Sequence, residues 1–287
     1  MGRFSGYLRL MRPVNCAMMG VAVIVGAALA RPNSLGFSWS TLVYGFVTGF
    51  TLTAASMAIN DYYDREIDAV NEPNRPIPSG TVRPKGALVF VAILTAVGFV
   101  ASYLTGASVR SLCLLTALAA WLVSVVYTSV GKRSGLPGNF LVGICVAIPF
   151  IYGSIAIANT VELDVLFFVS MVFLSVTGRE ITKGIVDVQG DRARGVKTLA
   201  VRFGEKNAAV ASASFYFSAV LISPVPWYLG IVSFWFLPFV AVTDFGLVAS
   251  SIMLLKDHSR KNARMIKRNV LLWFIIGLLA FVAGVLI

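Results

Sequence analysis

The sequence predicts an all-α integral membrane protein that crosses the bilayer nine times, and three observations carry that reading. Hydrophobic residues make up 57% of the 287 and charged residues only 13%, about half the charge of a soluble domain. The apolar residues gather into nine runs, each close to the roughly 20 helical residues that span a hydrocarbon core of about 30 Å. The charges fall between those runs, and very unevenly. A mean hydropathy of +0.83 also excludes disorder, which needs low hydrophobicity and high net charge.

The first run, 14–30, follows a short basic segment, and the second, 38–60, ends where an acidic stretch begins at Asp61. Runs three and four, 87–105 and 108–130, are separated by so few residues that they pair as an antiparallel hairpin. Runs five and six, 138–158 and 163–186, follow in the same way, the sixth closing at Asp187. The seventh is 207–223, and the eighth, 227–255, is long enough to tilt or break, with Pro238 as the expected kink. The ninth, 269–287, follows the basic segment KDHSRKNARMIKR.

A net charge of +11 normally raises nucleic acid as a partner, but with this apolar content it reads as membrane topology. If the nine runs alternate, 22 of the 24 Lys and Arg lie on one side, leaving only Arg31 and Arg110 on the other. The positive-inside rule then puts the N-terminus in the cytoplasm and the C-terminus outside. The expectation is a multi-pass protein of the cell membrane, bound by membrane lipids and no nucleic acid. Cys16, Cys113 and Cys145 lie in apolar stretches without metal-ligand spacing, and the single histidine, His258, sits in a basic loop. Zinc sites and His-dependent nucleophilic catalysis are therefore poor candidates. Neither a Walker A motif nor a signal peptide with a cleavage site is present.

The acids are as unevenly placed: nine of 13 follow the second run or follow or close the sixth. In NDYYDREID a helical advance of about 100° per residue puts Asn60, Asp61, Asp64 and Asp68 on one face. In REITKGIVDVQGD, Lys183, Asp187 and Asp191 recur every four residues, making a second helical stripe. Asp64 and Asp187 are 123 residues apart, as are Asp68 and Asp191, which marks a pseudo-repeat at 60–68 and 187–191 within a single domain, 1–287. An isolated acid after a span is ordinarily a solvated loop residue. Two matched pairs, each followed by a basic Pro/Gly loop, call for another explanation.

Two carboxylates about 5 Å apart repel by about 3 kcal/mol at an effective dielectric near 20. A divalent cation removes that cost, and Mg²⁺ suits an all-oxygen donor set that is completed by water and phosphate. The expected ligands are Asn60, Asp64, Asp68, Asp187 and Asp191, and Asp61 joins them in the expected catalytic set. The chemistry is then ionisation of a diphosphate, with Arg75, Lys132, Lys183, Arg194 and Lys197 as further clamps on the phosphates. Tyr62, Tyr63, Tyr127, Phe150 and Phe173 are candidate faces for the carbocation left behind. A long isoprenoid tail already resides in the bilayer, which gives the enzyme a reason to be there.

At NDYYDREIDAVNEPNRPIPSG and DVQGDRARGVKTLAVRFG the sequence resembles the UbiA superfamily of intramembrane prenyltransferases, over essentially the whole chain. The first motif of that family, N-D-x-x-D-x-x-x-D, matches Asn60, Asp61, Asp64 and Asp68; the second, D-x-x-x-D, matches Asp187 and Asp191. The resemblance implies helices around a central cavity open to the bilayer, Mg²⁺ dependence, a prenyl diphosphate donor, a lipid-soluble acceptor, and an active site on the cytoplasmic side. Arg12-Pro13-Val14-Asn15, which makes Asn15 a substrate-binding candidate, and REITKGIVDVQGD resemble an archaeal branch. Members of that branch transfer a geranylgeranyl group to geranylgeranylglyceryl phosphate. The same motifs also resemble enzymes that prenylate chlorophyllide or aromatic quinone precursors. From another class, an ion-coupled transporter shares inverted repeats and intramembrane acids, although the acids here sit at span ends among bases.

Overall fold

The computed structural model describes residues 3–30, 39–106, 108–193 and 195–286. Nine membrane-length apolar helices are present among them, as the sequence predicts. In chain order the helices are α1 (Arg3–Met11), α2 (Pro13–Ala30), α3 (Trp39–Asn71), α4 (Pro84–Leu104), α5 (Arg110–Ser129) and α6 (Leu136–Ala158). There follow α7 (Leu163–Val186), α8 (Val188–Ala193), α9 (Leu199–Ile222), α10 (Val225–Tyr228), α11 (Phe236–Lys256) and α12 (Arg260–Leu286). The long helices pack largely against their neighbours in sequence, and α12 returns to touch α2 and α7, closing the bundle.

Several boundaries differ from the sequence reading: α3 runs on to Asn71 although the second run ends at residue 60, and α12 starts at Arg260 although the ninth run starts at residue 269. The seventh span starts earlier, with α9 at Leu199, because the chain stays helical on both sides of a break at Gly204, where φ is +85°. The eighth starts later, at Phe236, and residues before it fold as α10 and a turn with Gly230 at φ +71°. Pro238 therefore lies in the first turn of α11, where a missing N–H costs no helical hydrogen bond, and it makes no kink.

Lipid-facing and core-facing sides separate cleanly. Val89, Ile93, Val97 and Val100 of α4 are exposed at helical spacing, a stripe that only a hydrocarbon solvent accommodates. The core between α2, α6, α7, α11 and α12 is a cluster of aromatic rings in which Phe168 and Phe281 meet edge to face at 4.7 Å. At the α2–α6 crossing the backbones touch: a Cβ on Gly26 would overlap the Phe150 carbonyl, and one on Gly153 would overlap that of Val23. Small residues are what allow such close approach in membranes. Gly153→Leu should therefore destabilise the protein by about 3 kcal/mol or more. The thermal midpoint in detergent is expected to fall by about 10 °C, and an unchanged midpoint would show that the two helices are not in contact.

A smaller core at the acidic end places the first motif. Leu10, Ala55, Ala58, Ile77, Val82, Ala87 and Val91 form one buried cluster beneath the loop that follows α3. Ile77 and Val82 anchor that loop, Val82 N donates to the Pro76 carbonyl at 2.8 Å, and Gly80 supplies a turn at φ +74°. Arg9 of α1 adds a hydrogen bond to the Asn74 carbonyl at 3.0 Å. The loop thereby folds back over the helix end and carries Arg75 to it.

Candidate active site

α3 continues three turns beyond Asn60, so Asn60, Asp64 and Asp68 do line one face of a regular helix. Asn60 Nδ2 donates to Asp64 Oδ2 at 3.1 Å. The repulsion expected within the stripe is relieved by cations. Lys132 Nζ donates to Asp64 Oδ2 at 2.5 Å, and Arg75 Nη1 donates to Asp68 Oδ2 at 2.7 Å. Asp61, only 4% exposed, accepts from Arg12 at 2.8 Å and from Arg75 at 3.5 Å.

Each cation is aimed by its own backbone. Arg12 lies between α1 and α2 in the left-handed region, at φ 55°, because the proline that follows disfavours the right-handed helical conformation. Its carbonyl accepts from the Asn15 N–H at 3.0 Å, which sets Asn15 in the first turn of α2 near the same helix end. Lys132 lies in a single 3₁₀ turn, Gly131–Arg133, between α5 and α6.

Burial pushes the Asp68 carboxyl above the usual carboxylate range, and Arg75 offsets this only in part. Burial likewise lowers the Lys132 ammonium, with Asp64 opposing. For Arg75 burial acts downward, but Asp61 and Asp68 outweigh it and hold the guanidinium above its ordinary value.

The second motif departs from a continuous stripe. α7 stops at Val186, Asp187 is its C-cap with φ −101° and ψ 5°, and Asp191 belongs to the short α8. Asp191 N still donates to the Asp187 carbonyl at 2.9 Å, so the acids stay one turn apart across a change of axis. Arg260 Nε donates to the Val186 carbonyl at 3.0 Å, holding the break against the start of α12. Asp187 is exposed and within charge–charge range of Lys267. Glu180, buried two turns deeper, accepts from Lys183 at 3.2 Å and from Arg179 at 3.5 Å.

Lys183 joins the two halves. It is within charge–charge range of Lys132 and of Tyr127, which in turn senses Asp64 and Glu180. Lys132 Nζ also lies 5.8 Å from the Tyr127 ring centroid. Lys197 is exposed, and its backbone N–H donates to the Arg133 carbonyl at 3.4 Å, tying the second loop to the turn that carries Lys132. Arg194 lies outside the described residues. Among the aromatic candidates only Tyr127 is placed in this cluster. Tyr62 holds the Arg65 guanidinium at 4.6 Å and packs on Tyr63, Phe173 packs on Phe140, and Phe150 lies in the aromatic core.

Among the described residues no three carboxylate, histidine or cysteine side chains converge on one point. The donor set nevertheless fits Mg²⁺, which binds through one or two carboxylates and keeps places for water and phosphate. Asp64 and Asp68 offer oxygen atoms now covered by Lys132 and Arg75. The cysteines are free, Cys16 and Cys113 being buried, as expected of small apolar residues. His258 is half-buried in its loop, with Nδ1 covered and unpaired, which is less solvated than its basic surroundings implied.

Residues 19–276 match the profile of the UbiA prenyltransferase family. This chain belongs to the UbiA family. A relative named digeranylgeranylglyceryl phosphate synthase, from Methanosarcina mazei, is 34% identical over 97% of this chain and 98% of its own. Another of that name, from Natronomonas pharaonis, is 36% identical over 99% and 100%. A solved structure concerned with digeranylgeranylglyceryl phosphate synthase in membranes matches at a TM-score of 0.76 and 29% identity, covering 99% of both chains. A UbiA homologue from Archaeoglobus fulgidus, solved with GPP and Mg²⁺, shares the fold at a TM-score of 0.66 and 18% identity, covering 96% of this chain and 99% of its own.

In this UbiA protein the structure adds groups that spacing alone does not single out. Arg12 grips Asp61 from 49 residues away, and the only local signal was an arginine before a helix-opening proline. Lys267 of α12 comes within charge–charge range of Asp187, Lys183 and Arg179, a meeting that needs the bundle to close.

Proposed function

We propose that this UbiA protein transfers a geranylgeranyl group from its diphosphate to geranylgeranylglyceryl phosphate, with Mg²⁺, to form an ether bond of archaeal membrane lipid. The observation that carries the reading is the first motif itself: Asp64 and Asp68 are paired with lysine and arginine partners that can be exchanged for a metal–diphosphate unit. Full-length relatives named for that synthesis support the choice of acceptor. The chain acts as one domain, 1–287, in which the motifs at 60–68 and 187–191 are repeated halves of one site. The excess of bases beside both motifs supports a cytoplasmic active site.

Mg²⁺ bound at such a site neutralises charge on a departing diphosphate. Asn60, Asp64 and Asp68 from one half and Asp187 and Asp191 from the other would hold it. With those carboxylates turned to the metal, Lys132 and Arg75 would be released to hold phosphate oxygens, with Arg194 and Lys197 of the second loop. Asp61 stays with Arg12 and keeps the loop closed. Tyr127 faces the reacting carbon, and Asn15 and Lys183 bind the acceptor, Lys183 through its phosphate.

The direct test incubates purified protein with geranylgeranyl diphosphate and, separately, geranylgeranylglyceryl phosphate, chlorophyllide or an aromatic carboxylate, reading products by mass. Product with the first acceptor alone, lost on chelation and restored by Mg²⁺, is the expected result. Product only with a ring acceptor would move the protein to another branch of the family. Lys183→Ala should raise KM for geranylgeranylglyceryl phosphate about tenfold, the worth of one charge-assisted hydrogen bond, while moving KM for the donor little. An equal rise for both substrates would remove Lys183 from the acceptor side.

A further inference from the structure

A group of cations lies between α7 and α12, beside the second motif. On α7, Arg179 and Lys183 are four residues apart and so share a face, and both reach the buried Glu180, at 3.5 and 3.2 Å. Lys267 of α12 comes to the same level. The end of α7 meets the start of α12, where Arg260 Nε donates to the Val186 carbonyl, so the two packed helices run antiparallel. Lys267 lies seven residues on from Arg260 and Arg179 seven residues back from Val186. At 1.5 Å per residue both side chains start about 10 Å below that contact. Lys267 is accordingly within charge–charge range of Arg179 and Lys183.

Such a group is costly inside an apolar bundle, and charged residues kept there usually carry a function. Like charges one helical turn apart repel, and a single carboxylate, Glu180, serves two of the cations. Arg179 Nε is buried with no hydrogen-bond partner among the described residues, which leaves a donor worth about 1–3 kcal/mol unsatisfied. Lys267 has Asp187 within charge–charge range, but Asp187 is one of the expected metal ligands. Once it turns to the metal, three cations face Glu180 alone. A phosphate monoester, with about two negative charges, cancels that surplus. The place is reachable, since the Arg179 and Lys183 side chains are 24% and 43% exposed.

We propose that Arg179, Lys183 and Lys267 form a site for the phosphate monoester of the acceptor between α7 and α12, separate from the site of the donor's diphosphate. The inference rests on the prenyl-transfer reading above and deepens it, adding Arg179 and Lys267 to Lys183. Position separates the two anions. Lys132 and Arg75 stand at the first motif, where the diphosphate belongs, whereas Arg179 and Lys267 stand beside the second. In a glyceryl phosphate whose free hydroxyl is on the carbon next to the phosphate-bearing one, bonds near 1.5 Å put the phosphorus about 4–5 Å from the reacting oxygen. Lys183, within charge–charge range of Tyr127 and Lys132, is placed for that short span.

The test compares geranylgeranylglyceryl phosphate with the same lipid lacking its phosphate, each given to purified protein with geranylgeranyl diphosphate and Mg²⁺ and followed by product mass and initial rate. Lys267→Met and Arg179→Gln should each lower the preference for the phosphorylated acceptor, as a ratio of kcat/KM values, by about tenfold, the worth of one charge-assisted hydrogen bond. Lys267→Arg keeps a cationic donor and should retain most of the preference. Where the lipid lacking phosphate gives no product, competition by inorganic phosphate against the acceptor reads the same site and should weaken about tenfold in Lys267→Met and Arg179→Gln. If Arg179→Gln does not fold, Lys267→Met carries the test alone. A preference and a phosphate competition both unmoved overturn the inference, as does a rise in KM for the donor instead of the acceptor, which would give these cations to the diphosphate. In either case a wild type active on the phosphorylated acceptor leaves the prenyl-transfer reading standing. A wild type that makes no product with either glyceryl acceptor overturns that reading and this inference with it.

Discussion

Asp64→Ala is expected to lower kcat about a thousandfold while the protein still folds. The magnitude is that of removing a preorganised group that stabilises charge developing in the transition state. Folding survives because Asp64 sits at a solvated helix end, with its side chain 21% exposed, and its partner Lys132 is 25% exposed and reaches water when released. Asp187→Ala should behave alike, as that residue is exposed and caps α7 through its backbone. The decisive measurement is turnover against Mg²⁺ concentration: both variants should need far more metal, if any activity remains. Near-normal turnover of Asp64→Ala at limiting Mg²⁺ would show that the carboxylate is no ligand and sink the metal-bridge mechanism.

The fold was largely legible because a bilayer imposes a length on every helix. Runs such as 163–186 could be bounded to the residue, since both ends meet charge. The misjudged boundaries have two causes: α3 and α12 stay helical through charged residues, and where polarity gives no edge apolar residues 227–235 close a short helix and form turns while Gly204 interrupts a helix that composition alone cannot see through. At the site, the acids were visible from their spacing, which is a property of one helix. Their partners were not. Arg12 and Asp61 meet because a left-handed residue before Pro13 redirects the chain, and Lys267 meets the second motif only once α12 has packed on α7. Repulsion among the acids led to the expectation of a divalent cation beside them; in this state Lys132, Arg75 and Arg12 supply the positive charge.

Asp61 separates structure from chemistry within one motif, and its replacement is the second large effect expected. Asp64 and Asp68 each have one basic partner, whereas Asp61 is buried and holds two, Arg12 from the α1–α2 junction and Arg75 from the loop after α3. Asp61→Ala takes from Arg12 the carboxylate it grips and leaves Arg75 with Asp68. Both arginines are about a third exposed, 37% and 34%, so they recover part of their hydration. The loss of stability should then be about 1–3 kcal/mol, below that of a fully buried pair. Activity should fall by about a hundredfold or more, the cost of letting a phosphate-binding group drift from its place, because Arg75 is no longer held over the helix end. Asp61→Asn retains an acceptor oxygen for Arg12 and should recover much of the stability. Thermal midpoints and Mg²⁺ titrations on the same samples distinguish the two roles. Asp61→Ala should melt early yet keep its metal dependence, whereas Asp64→Ala should melt near the wild type and lose it. If Asp61→Ala instead melts normally and needs more Mg²⁺, Asp61 is a ligand and the division of labour along α3 is wrong.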